Sequence, residues 1–487
     1  MTEGIRYAGT FETNRVALKS LVSGRELPIH NVIGPVTITE NMYDTYISGT
    51  VTVVESGSIV KSLPITGKEL LFFDTTDYYG NERREVFFVY AMSNYRILSD
   101  ADNNLVEYVL HFCSREKFIC DTNRVQKTYS GPVHDQAAAL YREYIYNFYD
   151  LAPEIGVNKN FKSLITWPTN NTSVYVIPNM RPDEALQFLA RRAFTTAPSS
   201  QHYMFWESRD EYYMMPVNGL YTWAETLGGA QTFYSRIEIS NDALDQNDLQ
   251  STIISMNIPS SFNTIDALKN GGVVSKATEV DILNKSTIVT TYNHIENITT
   301  IDDFNSPIVT ERDYNSNQVP NAFTRHTSEF VSRWFANSIN NLVIKDYLSP
   351  GFDTSDTTSI VSNRHTQHYG ELMTKNLTHD YNLRDNAIAV TIRGGDIQTA
   401  SKIKAGGVVY LNIPEITSPF SGEGTPEEDS YYSGYYIIIK AIHKYTNATY
   451  TIDLLCSRGG IGNDPFNNLP GLPSTEETDP DSGEENA

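Results

Sequence analysis

From about Val32 to Cys113 polar and apolar residues alternate in short runs broken by turn residues. Val36-Thr37-Ile38-Thr39 and Gly49-Thr50-Val51-Thr52-Val53-Val54 have the period of two expected of half-buried strands. Leu70–Phe73, Val86–Tyr90 and Leu105–Leu110 follow. The breaks at Tyr79-Gly80-Asn81-Glu82 and Asp100–Asn104 carry turn chemistry. Strands at this spacing predict a small antiparallel barrel or sandwich.

The period then changes. Between Asp135 and Tyr149, Ala137, Tyr141, Tyr144, Ile145 and Phe148 share one helical face. Pro182-Asp183-Glu184 opens a second helix, with Pro in the first turn and acid at the positive end of the dipole. Its apolar stripe is Leu186, Leu189, Ala190 and Ala193. A hairpin follows, Tyr203–Trp206 against Tyr212–Met215 across a polar turn at Glu207–Asp210. Residues 245–320 are polar with strand-like islands at Ile253–Ile258 and Thr287–Thr291. A third helix is expected over Phe323–Tyr347, with Phe330, Trp334 and Leu342 as core positions.

A second β block runs from Ala387 to Cys456. Its strands are Ala387–Ile392, Val408–Ile413, Gly434–Ile439 and Thr449–Leu455. Its pattern repeats that of the first block and predicts an internal duplication. From Gly459 onward the chain is Asn, Pro, Gly, Ser and acid, too polar to bury a core, and reads as a flexible acidic tail.

Composition sharpens this picture. In 487 residues there are 31 Tyr against 21 Phe and 4 Trp, a bias toward strands and contact surfaces. The net charge of −22 disfavours nucleic-acid binding, which needs phosphates neutralised by Lys and Arg. Cys113, Cys120 and Cys456 form no framework and read as small buried hydrophobes, in a reducing compartment or in a fold indifferent to redox. No apolar run is long enough to span a membrane, and the first residues lack a signal-peptide pattern.

Chemical motifs are sparse. There is no G-x-G-x-x-G after a strand, no Walker loop, no G-x-S-x-G and no H-E-x-x-H. His365 and His368 have helical metal-pair spacing but no third ligand nearby in sequence. The acid pairs Asp302-Asp303 and Glu427-Glu428 read as solvated loops. Gly394-Gly395 and Gly406-Gly407, near Lys402 and Lys404, flank strands rather than open a helix, so they read as turns or bulges and not as a phosphate cradle. His443, at a strand end, reads as a structural histidine. Neither a catalytic site nor a metal or cofactor site is expected.

The C-terminal block nevertheless has a recognisable order. Gly395-Asp396 is followed by Ile403-x-x-Gly406-Gly407-Val408, then Ser433-Gly434-Tyr435-Tyr436, Ala441-Ile442-His443 and Tyr450-Thr451-Ile452-Asp453. This resembles the last barrel of the central baseplate hub proteins of contractile-tailed, T-even-like phages. The structural barrel motif of that resemblance is Gly395, Asp396, Gly407, Gly434, Tyr435, His443 and Tyr450. The resemblance spans roughly residues 30–456, and its motifs persuade by their order.

With the pattern read above, it gives an α+β, mainly β fold with two similar antiparallel, tube-like β-barrels and helical or mixed insertions; the disordered acidic C-terminal tail is read from composition, and the middle insertion and tail are longer than in the T-even type. The expected divisions are 1–125 first barrel, 126–200 helical or mixed insertion and 201–245 hairpin starting the second barrel. Then come 246–385 mixed insertion with a helix, 386–458 remainder of the second barrel and 459–487 tail. The resemblance further implies a homotrimer of pseudo-sixfold form in the virion, assembled in the host cytoplasm. Its partners would be the tail tube protein, the central spike protein and surrounding baseplate wedge proteins. DNA would pass its channel without specific binding, and nothing would insert into a membrane. The rival readings are a receptor- or glycan-binding tail protein, which would show aromatic clusters on a terminal domain, and a tail-associated cell-wall hydrolase, which would need an acid–base cleft.

Overall fold

The alternating stretches fold as strands. The computed structural model describes residues 9–147 except 57–58, 60–62, 78–79 and 101–102, and residues 162–235 except 171, 197–198 and 201. It also describes 250–260, 274–281, 286–293, 332–336, the positions 376, 380, 383 and 384, and 387–458 except 396–401, 415–427, 430–431 and 447–448. The acidic tail, His365, His368, Asp302-Asp303, Glu427 and Asp396 lie outside the described residues.

The first β block contains β1 (Phe11–Ser20), β2 (Glu26–Pro28), β3 (Ile33–Asn41), β4 (Ser48–Glu55), β5 (Glu69–Asp77), β6 (Glu82–Asp100) and β7 (Asn103–Ser114). They are ordered β2-β1-β5-β6-β7-β4-β3. β2 and β3 are halves of one run: Ile29 N–H donates to the Val16 carbonyl on β1, and Val54 N–H donates to the Val32 carbonyl. That run therefore bridges β1 and β4 and closes the barrel. Alternation sets what points inward: Val36, Ile38 and Glu40 from β3, and Val51, Val53 and Glu55 from β4, are all buried.

Between the barrels lies an insertion with its own core. It holds α1 (Arg115–Thr122), β8 (Val125–Pro132), α2 (Val133–Tyr141, continued by a π-turn over Arg142–Tyr146), β9 (Leu164–Thr166), β10 (Thr172–Met180) and α3 (Pro182–Ala190). β11 (Thr195–Thr196), β12 (Ser199–Ser200), β13 (Tyr203–Glu207), β14 (Tyr212–Pro216) and α4 (Gly219–Thr226) complete it. The α3 start is stapled by Arg181 N–H donating to Glu184, with Pro182 at the first helical position. Ala137, Leu140, Leu186, Leu189 and the β13–β14 aromatics form one buried cluster. β13 and β14 pair with each other, and β14 runs parallel to β9 in a separate three-stranded sheet. The aromatic hairpin is thus not the start of the second barrel, as its position in sequence suggested. Both its faces are buried, so its nearly continuous apolar run suits an internal sheet rather than a barrel wall.

The second barrel begins at β15 (Gln231–Ser235) and continues with β16 (Thr252–Ser260). A small sheet of β17 (Val274–Asp281), β18 (Ser286–Asn293) and β19 (Ser332–Ala336) follows. β20 (Ala387–Arg393), β21 (Val408–Asn412), β22 (Gly434–Thr446) and β23 (Thr449–Ser457) complete the wall. Two expectations are corrected here. β16 lies in the polar stretch read as an insertion, yet it pairs with β20 along most of its length. Ser332–Ala336, inside the expected helix over Phe323–Tyr347, is a strand parallel to β17; the rest of that stretch, Phe330 and Leu342 included, lies outside the described residues. Trp334 and Phe335 are residue types that suit a pleated ladder as well as a helix face.

The order β22-β21-β15-β16-β20-β23, with β23 returning to β22, is a closed cycle. Numbering the strands of each barrel one to six along the chain, with the β2–β3 run counted once, both cycles read 1-2-3-6-5-4. The duplication seen as pattern in sequence is therefore a repeat of topology. One strand breaks it: β15 runs parallel to both β16 and β21, whereas β1 is antiparallel to β2 and β5. The barrels are fused through β3 and β22, antiparallel from Val36↔Tyr445 to Asn41↔Lys440. Inward side chains of both form one hydrophobic cluster, from Val16 and Phe112 to Tyr436 and Ile452.

Candidate functional site

The chemically dense part of the molecule is the seam where the barrels meet and the aromatic hairpin is wedged against them. β3 and β22 bring Glu40 and His443 together because both occupy the buried phase of their strands. His443 Nε2 lies 2.9 Å from Glu40 Oε1, and its Nδ1 lies 2.7 Å from the Tyr450 hydroxyl on β23. A carboxylate only accepts, so Nε2–H donates to Glu40 and Nδ1 accepts from Tyr450. Burial, reinforced by the nearby Arg209 charge, holds the His443 pKa below its ordinary value, so the ring is neutral. Burial alone would raise Glu40. The His443 hydrogen bond, the Arg209 charge and the Ser208 hydroxyl at 2.9 Å outweigh it and hold the carboxyl below its ordinary value.

The β13–β14 turn supplies the cation. Arg209 Nε donates to Glu85 Oε1 of β6 at 2.7 Å, its Nη2 donates to the other Glu85 oxygen, and its Nη1 donates to Tyr445 Oη of β22 at 3.0 Å. One guanidinium thus ties the insertion to both barrels. Beside it Arg83 Nη1 meets Asp210 Oδ1 at 2.9 Å. Tyr445 in turn stacks on Tyr450, with centroids 4.4 Å apart and planes 1° apart, and receives the edges of Phe11 and Phe73 from the first barrel.

A second buried group anchors the hairpin base. Glu207 accepts from Ile47 N–H at 2.8 Å, Ser114 Oγ at 2.6 Å and the Lys162 ammonium, which also donates to the Ser208 carbonyl. Burial pushes Glu207 up; the Lys162 charge and these donors pull it back. Trp206 Nε1 donates to the Ala405 carbonyl at 2.9 Å and stacks on Tyr213.

The barrel-motif residues take varied places. His443 and Tyr450 meet at the seam. Gly406 has φ +83°, and a Cβ there would lie 2.4 Å from the Trp206 ring. Gly407 approaches the Lys402 carbonyl too closely for a side chain, and a Cβ on Gly395 would collide with Gln250. Gly434 has φ +141°, and Tyr435 packs edge-on against Tyr410 at 4.8 Å. Gly407, Gly434 and Tyr435 belong to the β21–β22 corner, away from His443. Sequence reasoning missed Glu40, Glu85, Glu207, Lys162 and Arg209. Glu40 had a signal: it continues the inward phase of Val36 and Ile38, where a charge needs a partner.

The arrangement is a set of satisfied ties. Among the described residues no three His, Cys, Asp or Glu are placed to hold a metal, and no helix is long and apolar enough to cross a membrane. The three cysteines are buried and unpaired.

No family model matches the chain, and a comparison with curated proteins finds no match. Solved structures do show likeness. A Neisseria meningitidis tail protein aligns over 92% of this chain and 96% of its own at 11% identity and TM-score 0.44. The 43 kDa tail protein of prophage MuSo2 from Shewanella oneidensis aligns over 92% and 99% at 8% identity and TM-score 0.47. The E. coli c3393 protein, described as a type VI secretion component similar to the T4 tail proteins gp27 and gp5, aligns over 92% and 76% at 6% identity and TM-score 0.38. With every score below 0.5, no functional statement is transferred from them.

Proposed function

We propose that this chain is a structural hub subunit of a phage-tail baseplate: a homotrimer whose six barrels form a ring joining a sixfold tail tube to a threefold spike. The observation that carries this reading is the repeat of one strand cycle in two barrels fused by a single sheet within one chain. Three copies of a chain built from two like units give six like units around an axis. The ordered motif resemblance over residues 30–456 points to the same class independently. The barrel-motif glycines, His443 and Tyr450 are then wall-building positions and not contact sites. In this reading the two insertions and the acidic tail face wedge, tube or spike proteins. The charge of −22 lets DNA pass the channel without adhering.

The test is the mass of the full chain by light scattering, alone and mixed with tail tube and spike proteins from the same source. A trimer, and rings with six peripheral lobes in negative-stain images, are expected. A chain that stays monomeric in every mixture removes the proposal. Retention of DNA fragments on the purified ring would remove its channel part.

A further inference from the structure

Each barrel has one strand that outruns its neighbour. In the second barrel it is β22. Residues 434–437 pair with β21, and residues 440–445 leave it to pair with β3. In the first barrel the strand at the same place in the cycle is β6. Residues 82–89 pair with β5; beyond them only β7 lies beside it among the described strands. Both strands change register at the departure point, between Ile438 and Lys440 and between Val89 and Ala91.

The receiving strands correspond too. The run containing β3 starts beside β1, and its later part turns to β22. β16 starts beside β15 at Thr252 and Ile253; from Ile254 on it keeps β20 on one side and no described strand on the other. The ladders fix the equivalence. Thr37 pairs with Thr50, Thr50 with His111 and His111 with Ala91. Asn257 pairs with Ala389, Ala389 with Leu455 and Leu455 with Lys440. Thr37 thus corresponds to Asn257, and Ala91 to Lys440. The β3–β22 seam inside the chain has a counterpart whose two halves, β6 and β16, meet no further strand among the described residues.

Their side chains suit a covered edge. Tyr90, Met92, Tyr95, Ile97 and Leu98 on β6 and Ile254 on β16 are exposed apolar residues. The only charge between Ala91 and Leu98 is Arg96, already paired with Glu107 in the hairpin, and Ile254–Ile258 carries none. Free edges are normally guarded by charge or proline; here Pro259 guards only the end of β16.

We infer that β6 from Tyr95 to Ser99 of one copy pairs antiparallel with β16 from Ile254 to Ile258 of a second copy. That contact reproduces between chains the seam that fuses the barrels within one. It is heterologous, so repetition closes a ring or extends a filament. The count of three rests on the hub reading; the choice of edges does not.

In the seam Thr37 faces Lys444, four residues past Lys440. Lys444 pairs with Thr451, four residues before Leu455; the β6 residue paired with Glu107, four before His111, is Arg96, because β6 carries one extra residue between Ser93 and Arg96. Arg96 is therefore the equivalent of Lys444, facing Asn257. The full chain carrying both Arg96→Cys and Asn257→Cys should, on mild oxidation, give covalent multimers on a non-reducing gel, and neither single variant should. The native thiols are buried and contribute no background. Independently, Tyr95→Pro and Ile254→Pro, both at register irregularities of the in-chain ladders, should each lower the mass in solution to that of a monomer. Mixed together they should give a dimer and nothing larger, because each retains one working edge. A wild-type multimer with no disulfide and with unchanged mass in both proline variants would overturn the edge pairing and leave the hub reading standing. Disulfide capture of Arg96→Cys by a neighbouring tail protein alone would also overturn it. A monomer in every mixture would overturn both.

Discussion

Arg209 is a fixed cation buried among groups from three parts of the chain, and removing it leaves Glu85 without its bidentate partner. Breaking a buried pair from one side costs about 3–5 kcal/mol where the remaining charge is left uncompensated; Arg83 Nη1 stays 4.0 Å from Glu85 Oε1, which places the expected loss at the lower end of that range. Arg209→Ala should lower stability by that order in urea, and Arg209→Lys should not restore it, since an ammonium cannot span Glu85 and Tyr445 in the same fork geometry. A loss below about 1 kcal/mol, the level of an exposed ion pair, would contradict this account. Gly406 makes a steric prediction: Gly406→Ala combines a positive φ with a collision against Trp206, a cost of about 1–3 kcal/mol, read with the Trp emission maximum. Titration gives a third. The folded pKa of His443 lies below its ordinary 6.5, so the unfolded chain binds more protons at mildly acidic pH. Its contribution is therefore complete above about pH 6.5 and is lost as pH falls toward the folded value. Glu40, also lowered, acts in the same direction below its ordinary 4.5. Glu207, raised by burial, acts in the opposite sense, so the His443 part is read as a difference: between about pH 7.5 and pH 5.5 the urea midpoint of wild type should fall relative to that of His443→Gln, which keeps a donor for Glu40. The absence of that relative fall would exclude the neutral-ring assignment. Little of this site was legible in sequence: His443 was marked as structural, but its partners lie at positions 40, 209 and 450, and only the fold brings them together.

The strands of both barrels were legible where alternation meets glycine-bounded turns, as in β3, β4 and β20 to β23. The misses have physical causes. β16 is polar on its exposed phase, and its burial depends on β20, more than a hundred residues away. The aromatic hairpin was visible but its sheet was not, because a run buried on both faces gives no period to assign a side. Ser332–Ala336 reads as helix in sequence, since five residues with two aromatics are compatible with either state and the partner strand β17 decides. At this scale the β3–β22 ladder predicts cooperativity. It is an internal ladder of a thirteen-stranded sheet, flanked by β4 and β23 and covering one shared core. Its amides should exchange hydrogen only through global unfolding. The two barrels should melt together in calorimetry, with Ile38→Ala lowering the whole transition. Two separable barrel transitions would mean that the seam is a docking contact and not part of the fold.

Taken whole, the molecule opposes a strongly acidic body to apolar, nearly uncharged edges. At −22 per chain, copies repel one another at long range, while the β6 and β16 edges offer backbone hydrogen bonds and apolar side chains that salt does not screen. The Debye length shrinks from about 30 Å at 0.01 M to about 8 Å at 0.15 M salt, so the repulsion fades over that range and the edge contact does not. Association of the full chain should therefore strengthen as salt rises. The opposite behaviour is the rule for contacts held by exposed ion pairs, which weaken with salt. Light scattering of one preparation across that range distinguishes them: mass rising with salt supports edges that meet through backbone and apolar side chains, and mass falling with salt would mean that charge complementarity holds the copies together elsewhere on the surface. The comparison is strengthened by Arg96→Gln, which removes the single cation of the β6 edge. The in-chain partner Glu107 already satisfies that cation, so the variant should keep the wild-type salt dependence; loss of assembly in it alone would reassign the contact to an ion pair.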